Sequence, residues 1–177
     1  HSAGVRGIRY NFVPHLGAPP DGQDFKRMAA RIAPLGWHVV LHMKAEHIIE
    51  FGEVLRSLPV TILFDHMLRL DPSKGERQEP MLRLLDFLAD GHWVKIAALE
   101  KLSKQRYPFA DSVAIGAALV RAAPERVVWG TDWPHPSVGA QRTNDGDLVD
   151  LIPALAPERA QQIKLLVDNP ARLYGFE

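Results

Sequence analysis

Short apolar runs alternate with helix-length amphipathic stretches from one end of the 177-residue chain to the other, and that alternation restricts the fold to repeated βα units around a parallel sheet. The runs are Gly7 to Phe12, Trp37 to Met43, Val60 to His66, Trp93 to Ala98 and Arg126 to Trp129. Val60-Thr61-Ile62-Leu63-Phe64 is apolar on both faces, which suits a strand covered on both sides. Between the runs, the spacing predicts helices over Asp24 to about Leu35, with Phe25, Met28, Ala29 and Ile32 on one side, over His47 to Leu58, over Glu79 to Asp90, and over Phe109 to Ala123. The tail reads as helices over Asp147 to Leu155 and Glu158 to Val167, with a last turn from Asn169 to Tyr174. No hairpin signal and no second domain are visible. Five such units fit an open doubly wound sheet or part of an eight-stranded barrel.

Composition narrows the function classes. With 46% hydrophobic and 24% charged residues the chain reads as a single soluble globular domain, and cytoplasmic placement is the default expectation. Lys plus Arg equals Asp plus Glu at 21 each, and no basic stripe interleaves with aromatics, so a nucleic-acid partner is not expected. No apolar run approaches the roughly 20 residues that cross a bilayer, so no membrane partner is expected either. The absence of cysteine removes disulfides, thiolate nucleophiles and thiolate-bound zinc, leaving His and carboxylates for any metal. No Gly-x-Gly-x-x-Gly or Gly-Lys-Ser/Thr follows a strand, which argues against nucleotide binding.

Chemistry-bearing residues gather at the carboxyl ends of the strands, where α/β folds place their sites. Arg9 and Asn11 share a face of the first run. His42 closes the second, His66 the third, and Asp132 follows the fifth in Trp129-Gly130-Thr131-Asp132-Trp133-Pro134-His135-Pro136. Gly130 would turn the backbone there and the prolines would stiffen it. Strand alternation sends His38, Val40 and His42 one way and lets only one of Asp65 and His66 face the centre, so the expected partner of His66 is Asp132 rather than Asp65. Each residue also has a plainer reading. Thr131 or Asp132 could cap a helix, a lone strand-end histidine is commonly structural, and Arg9 is either a buried ion pair or a clamp for an anionic ligand. Lys95 has the same two readings, with the structural one favoured. His15 and His135 fall in loops at the same end.

Trp129 to His135, Phe64-Asp65-His66 and Val167-Asp168-Asn169-Pro170-Ala171-Arg172-Leu173-Tyr174 resemble the amidohydrolase superfamily, in its amidohydrolase-2 branch and on its lactonase side. Arg6 to Phe12 and Ala33 to Val40 extend the likeness over almost the whole chain. The resemblance implies a (β/α)₈ TIM-like barrel with these five strands as its fourth to eighth, a full barrel taking about 250 residues. It implies Asp132 as general base, His66 as the partner of the reacting carbonyl, and Arg9, His15, Lys101 and His135 as contacts to a small carboxylate substrate. The implied activity is hydrolysis of a carboxylate-bearing cyclic ester. His15 and Lys101 stand where that side of the family carries arginines, and His42 where it carries tyrosine. A histidine there is what metal-binding relatives have, so a divalent ion, zinc held by His42 and Asp132 together with the family's first-strand His-x-His pair, is the alternative to a metal-free site. No His-x-His pair, the family's first-strand ligands, occurs in the sequence. A zinc-dependent hydrolase or decarboxylase and a non-catalytic barrel piece are the competing expectations.

Overall fold

The computed structural model describes residues 1–13, 22–136 and 143–176. Five parallel strands, β1 (Gly7–Asn11), β2 (His38–His42), β3 (Ile62–Phe64), β4 (Trp93–Ile96) and β5 (Val127–Trp129), form one sheet in the order β1-β2-β3-β4-β5. Every crossover therefore advances one strand in the same direction. An open doubly wound sheet reverses direction at a switch point, whereas a barrel never does, so the order selects the barrel from the two topologies open to the sequence.

Helices α1 (Gly22–Ile32), α2 (His47–Glu50), α3 (Gly52–Arg56), α4 (Glu79–Ala89), α5 (Leu99–Leu102) and α6 (Ala110–Ala122) fill the crossovers. Helices α7 (Asp145–Val149), α8 (Ile152–Leu155), α9 (Arg159–Ile163) and α10 (Asn169–Tyr174) follow β5. Several differ from the periodicity. The expected 47–58 helix is broken at Phe51, whose φ of −105° leaves the helical region, and the 147–155 helix restarts at Ile152 with Pro153 in its first turn. Between α9 and α10 the chain widens into a π-turn over Lys164–Asp168. Among the described residues no helix is long and apolar enough to cross a membrane.

The two faces of the sheet have different tasks. One face, with Val39, Leu41, Ile62, Phe64, Val94, Ile96 and Val127, merges with Phe25, Ile48, Leu84, Phe87 and Leu119 of the helices into the main core. The other carries a small apolar cluster of Leu63, Trp93 and Val128, backed by Val40, Leu173 and Tyr174. All three residues of β3 have 0% exposure, so each contributes roughly 1.5–3 kcal/mol and the strand is anchored from both sides. On that second face, toward the carboxyl ends, the same alternation presents Arg9, Asn11, His42 and Lys95. Close packing at the other end depends on Gly7, where a Cβ would lie 2.5 Å from the backbone oxygen of His38. Asn169 ties α10 to the start of β5: its Nδ2 donates to the carbonyls of Pro124 (2.8 Å) and Val127 (2.7 Å).

Candidate active site

A cavity of about 390 Å³ opens at the carboxyl ends of β3, β4 and β5, lined by Arg9, Asp65, His66, Lys95, Ala97 and Trp129 to Trp133. A larger one, about 700 Å³, lies beside Ser103–Phe109 and the start of α7 and contains none of these strand-end residues. The smaller cavity carries the convergent charged groups.

Asp65 is its centre. Its side chain is 3% exposed; Oδ2 accepts from Nη2 and Nε of Arg9 at 2.7 and 3.1 Å, and Oδ1 lies 3.0 Å from Nζ of Lys95. Burial opposes its charge, but Lys95, His66 and Arg9 together outweigh burial and hold the carboxyl below its ordinary value. His66 Nε2 lies 3.5 Å from Asp65 Oδ2 and 3.7 Å from Asp132 Oδ1. Both Asp65 and His66 therefore face the site, against the expectation from strand alternation. The reason is local: β3 ends at Phe64, and His66, Met67, Leu68 and Arg69 have φ values of 51°, 50°, 55° and 52°. In this left-handed turn the period-two rule no longer applies. Such a backbone costs L-residues roughly 1–2 kcal/mol each, offset here by complete burial of Met67 and Leu68 in the main core.

Burial lowers the basicity of His66, Asp65 and Asp132 oppose that, and the net displacement is downward, so a neutral imidazole faces the carboxylates. The hydrogen belongs on Nε2, which approaches two acceptors. His42 stands against His66 with ring centroids 5.0 Å apart; its Nδ1 is 3.2 Å from Asn11 Oδ1 and its Nε2 3.5 Å from Arg69 Nη1. Burial first, then the neighbouring His66 and Arg9, bring its pKa down to about 4.

Asp132 follows β5 as the sequence indicates, but the residue that turns left-handed is Asp132 itself, with φ 68°, rather than Gly130. Asp tolerates this region better than most side chains. Its Oδ2 accepts from Lys101 Nζ at 2.5 Å, and the same ammonium donates to the carbonyl of Pro136 at 2.8 Å. Lys101 comes from α5, a one-turn helix absent from the sequence expectations.

The structure thus brings together Arg9, His42, His66, Lys101 and Asp132. It adds Asp65 and Lys95, and the Lys95 contact to Asp65 is the structural ion pair that the sequence favours for that lysine. His135 is not brought to the cavity. Its ring is buried against Glu100 and Asp145. His15 lies outside the described residues.

The expected metal pair fits poorly. Among the described residues no group of three His, Asp or Glu side chains is placed to hold a metal ion. His42 and Asp132 each approach His66, Asp132 is already bonded to an ammonium, and Arg9, Lys95 and Lys101 surround the region, where a dication would meet like charge.

Comparison with known proteins identifies the family and the fold. The chain is 41% identical over 187 residues to 2-pyrone-4,6-dicarboxylate hydrolase of Comamonas testosteroni, covering 100% of this chain and 61% of the relative. It is 37% identical to 4-sulfomuconolactone hydrolase of Hydrogenophaga intermedia (97% and 58% covered) and 29% identical to D-galactarolactone isomerase of Agrobacterium fabrum (98% and 60%). The chain thus spans about three fifths of the length of the curated relatives it matches. Among solved structures it superposes on an apo protein of Agrobacterium tumefaciens with TM-score 0.86 at 28% identity, covering 99% of this chain and 63% of that one. A candidate 2-pyrone-4,6-dicarboxylic acid hydrolase of Pseudomonas putida gives TM-score 0.85 at 30% identity (99% and 65%). The five strands are consecutive strands of an α/β barrel of the (β/α)₈ type. The family model described as Amidohydrolase matches residues 1–176, and the chain belongs to that amidohydrolase family.

Proposed function

We propose that the barrel to which this chain contributes opens cyclic esters bearing carboxylates by adding water. The observation that carries the reading is the approach of His66 Nε2 to Asp132 Oδ1, 3.7 Å, beside three cationic side chains that outnumber the two carboxylates they surround. A net positive cavity favours an anionic substrate, and the lactone hydrolases among the relatives point the same way.

In this scheme Asp132 takes a proton from water as its oxygen adds to the ester carbonyl carbon. His66 donates its Nε2 hydrogen toward the oxyanion as it forms, a neutral donor that gains strength as charge develops. The ring C–O bond then breaks and the proton held by Asp132 passes to the leaving oxygen. Arg9 and Lys101 hold substrate carboxylates. Lys101 now sits on Asp132, so a substrate carboxylate that draws the ammonium away also uncovers the base.

The test is a panel of cyclic esters with and without ring carboxylates, assayed on the complete gene product and on Asp132→Asn. Turnover should require a carboxylate and fall about 10²–10⁴-fold in the variant, with binding of the opened acid nearly unchanged. An Asn variant within tenfold of wild type would remove Asp132 from this role.

A further inference from the structure

Beside the larger cavity, which Glu100 lines, the chain buries a second cluster of ionisable groups that the reaction above does not use. The Glu100 and His135 side chains are 4% and 5% exposed, with His135 Nδ1 3.4 Å from Glu100 Oε1, and His135 Nε2 lies 3.2 Å from Asp145 Oδ1, whose side chain is 44% exposed. Among the described residues neither oxygen of Glu100 has a hydrogen-bond partner, nor has His135 Nδ1, so Oε1 and Nδ1 face each other with no other polar neighbour. A buried carboxylate–imidazole pair is a poor source of stability, since apolar residues of similar size commonly do as well; the use best supported for such pairs is to fix one arrangement among several.

What this pair joins is specific. Glu100 precedes Lys101 on α5, and His135 closes the turn that begins at Asp132, its backbone N–H donating to the Asp132 carbonyl at 2.8 Å. The same two segments are tied at the cavity by Lys101, through Asp132 Oδ2 and the Pro136 carbonyl. Asp132 and His135 both have positive φ, 68° and 56°, so the turn does not hold this shape by backbone preference alone.

We propose that Glu100, His135 and Asp145 form a buried clamp that sets the position of Asp132 and Lys101 relative to each other and to His66, with His135 as the positioning residue. The inference rests on the reaction assigned above for its catalytic consequence, but the clamp itself is structural and can be read without turnover. Glu100→Gln keeps the shape and removes the charge. Asp145→Asn loosens the partly exposed end and guards against a core substitution that fails to fold.

The experiment is hydrogen exchange of the complete gene product, read on peptides covering residues 130–136, with kcat and KM measured on the same samples. In Glu100→Gln, exchange of the His135 amide should rise about tenfold or more while β1 to β4 keep their protection. On a cyclic ester, kcat should fall about 10–100-fold with KM within about threefold, the pattern of a misplaced catalytic group. Asp145→Asn should shift both readouts in the same direction by less. Unchanged exchange in the 130–136 peptides of both variants overturns the clamp whatever the activity. Faster exchange with wild-type kcat overturns its positioning role. A wild-type protein that opens no ester on the panel counts against the assigned reaction, and the clamp is then decided by exchange alone.

Discussion

Replacing Asp65 by Asn leaves its volume and removes the charge on which the site is built. Arg9 then keeps no counter-ion at 2.7 Å and Lys95 none at 3.0 Å. Taking one partner from a fully buried pair costs about 3–5 kcal/mol. Here the carboxylate is 3% exposed but the Arg9 and Lys95 side chains are 42% and 27% exposed, so water rehydrates part of the stranded charge and the expected loss is about 2–3 kcal/mol. For a domain of this size that corresponds to a fall in Tm of about 4–12 °C. Urea unfolding at a series of pH values measures it. Because the folded-state carboxyl lies below its ordinary 3.8, its contribution is complete above that value and disappears as pH falls through the lower, folded-state value. Wild-type and variant curves should therefore separate at neutral pH and converge in acid. A difference under about 0.5 kcal/mol at pH 7, or curves still parallel at about pH 2, would show that the two cations do not depend on Asp65.

His42, with a pKa of about 4, should be uncharged at pH 6; an NMR titration of its ring protons with a midpoint of 6 or higher would contradict the burial argument. The unfolded chain takes this proton near 6.5 and the folded one only near 4, so the contribution of His42 to stability rises with pH between those values, a slope that His42→Gln should abolish. Asn169→Ala strands the buried carbonyl of Val127 and the half-buried one of Pro124 and should cost about 2–4 kcal/mol by calorimetry, while kcat per folded molecule stays at wild type; an unchanged Tm would refute the tie between α10 and β5.

Sequence alone carried the parallel sheet, because strand period and helix period differ sharply at β2, α1, α4 and α6. It also carried the meeting of His42, His66 and Asp132, since strand ends on one side of a parallel sheet converge. It did not carry Asp65. The left-handed turn after Phe64 is built from Met67, Leu68 and Arg69, with no glycine or asparagine to announce it, and its shape comes from the core that grips Met67 and Leu68. His135 illustrates the converse. A histidine in a loop at the functional end suggests a ligand contact, but which way its ring turns depends on Glu100, far upstream, and Asp145, ten residues on, neither marked by any local pattern. Periodicity alone leaves barrel and open sheet both standing; the motifs at Phe64 to His66, Trp129 to His135 and Val167 to Tyr174 point to the barrel, and the strand order agrees.

The turn from Asp65 to Arg69 leaves His66 without autonomy. Its backbone would relax elsewhere if released, and what prevents this is the grip on Met67 and Leu68 from the helical layer behind the sheet. The aim of the imidazole is therefore inherited from packing one and two residues away, and α6 reaches that packing: at Gly116 an added Cβ would lie 2.6 Å from Leu155 Cδ2 and 3.6 Å from the Met67 sulfur, so a substitution there displaces the layer behind the turn without touching a charged group of the cavity. A lineage could change selectivity through its hydrophobic interior while every charged residue of the cavity stayed the same.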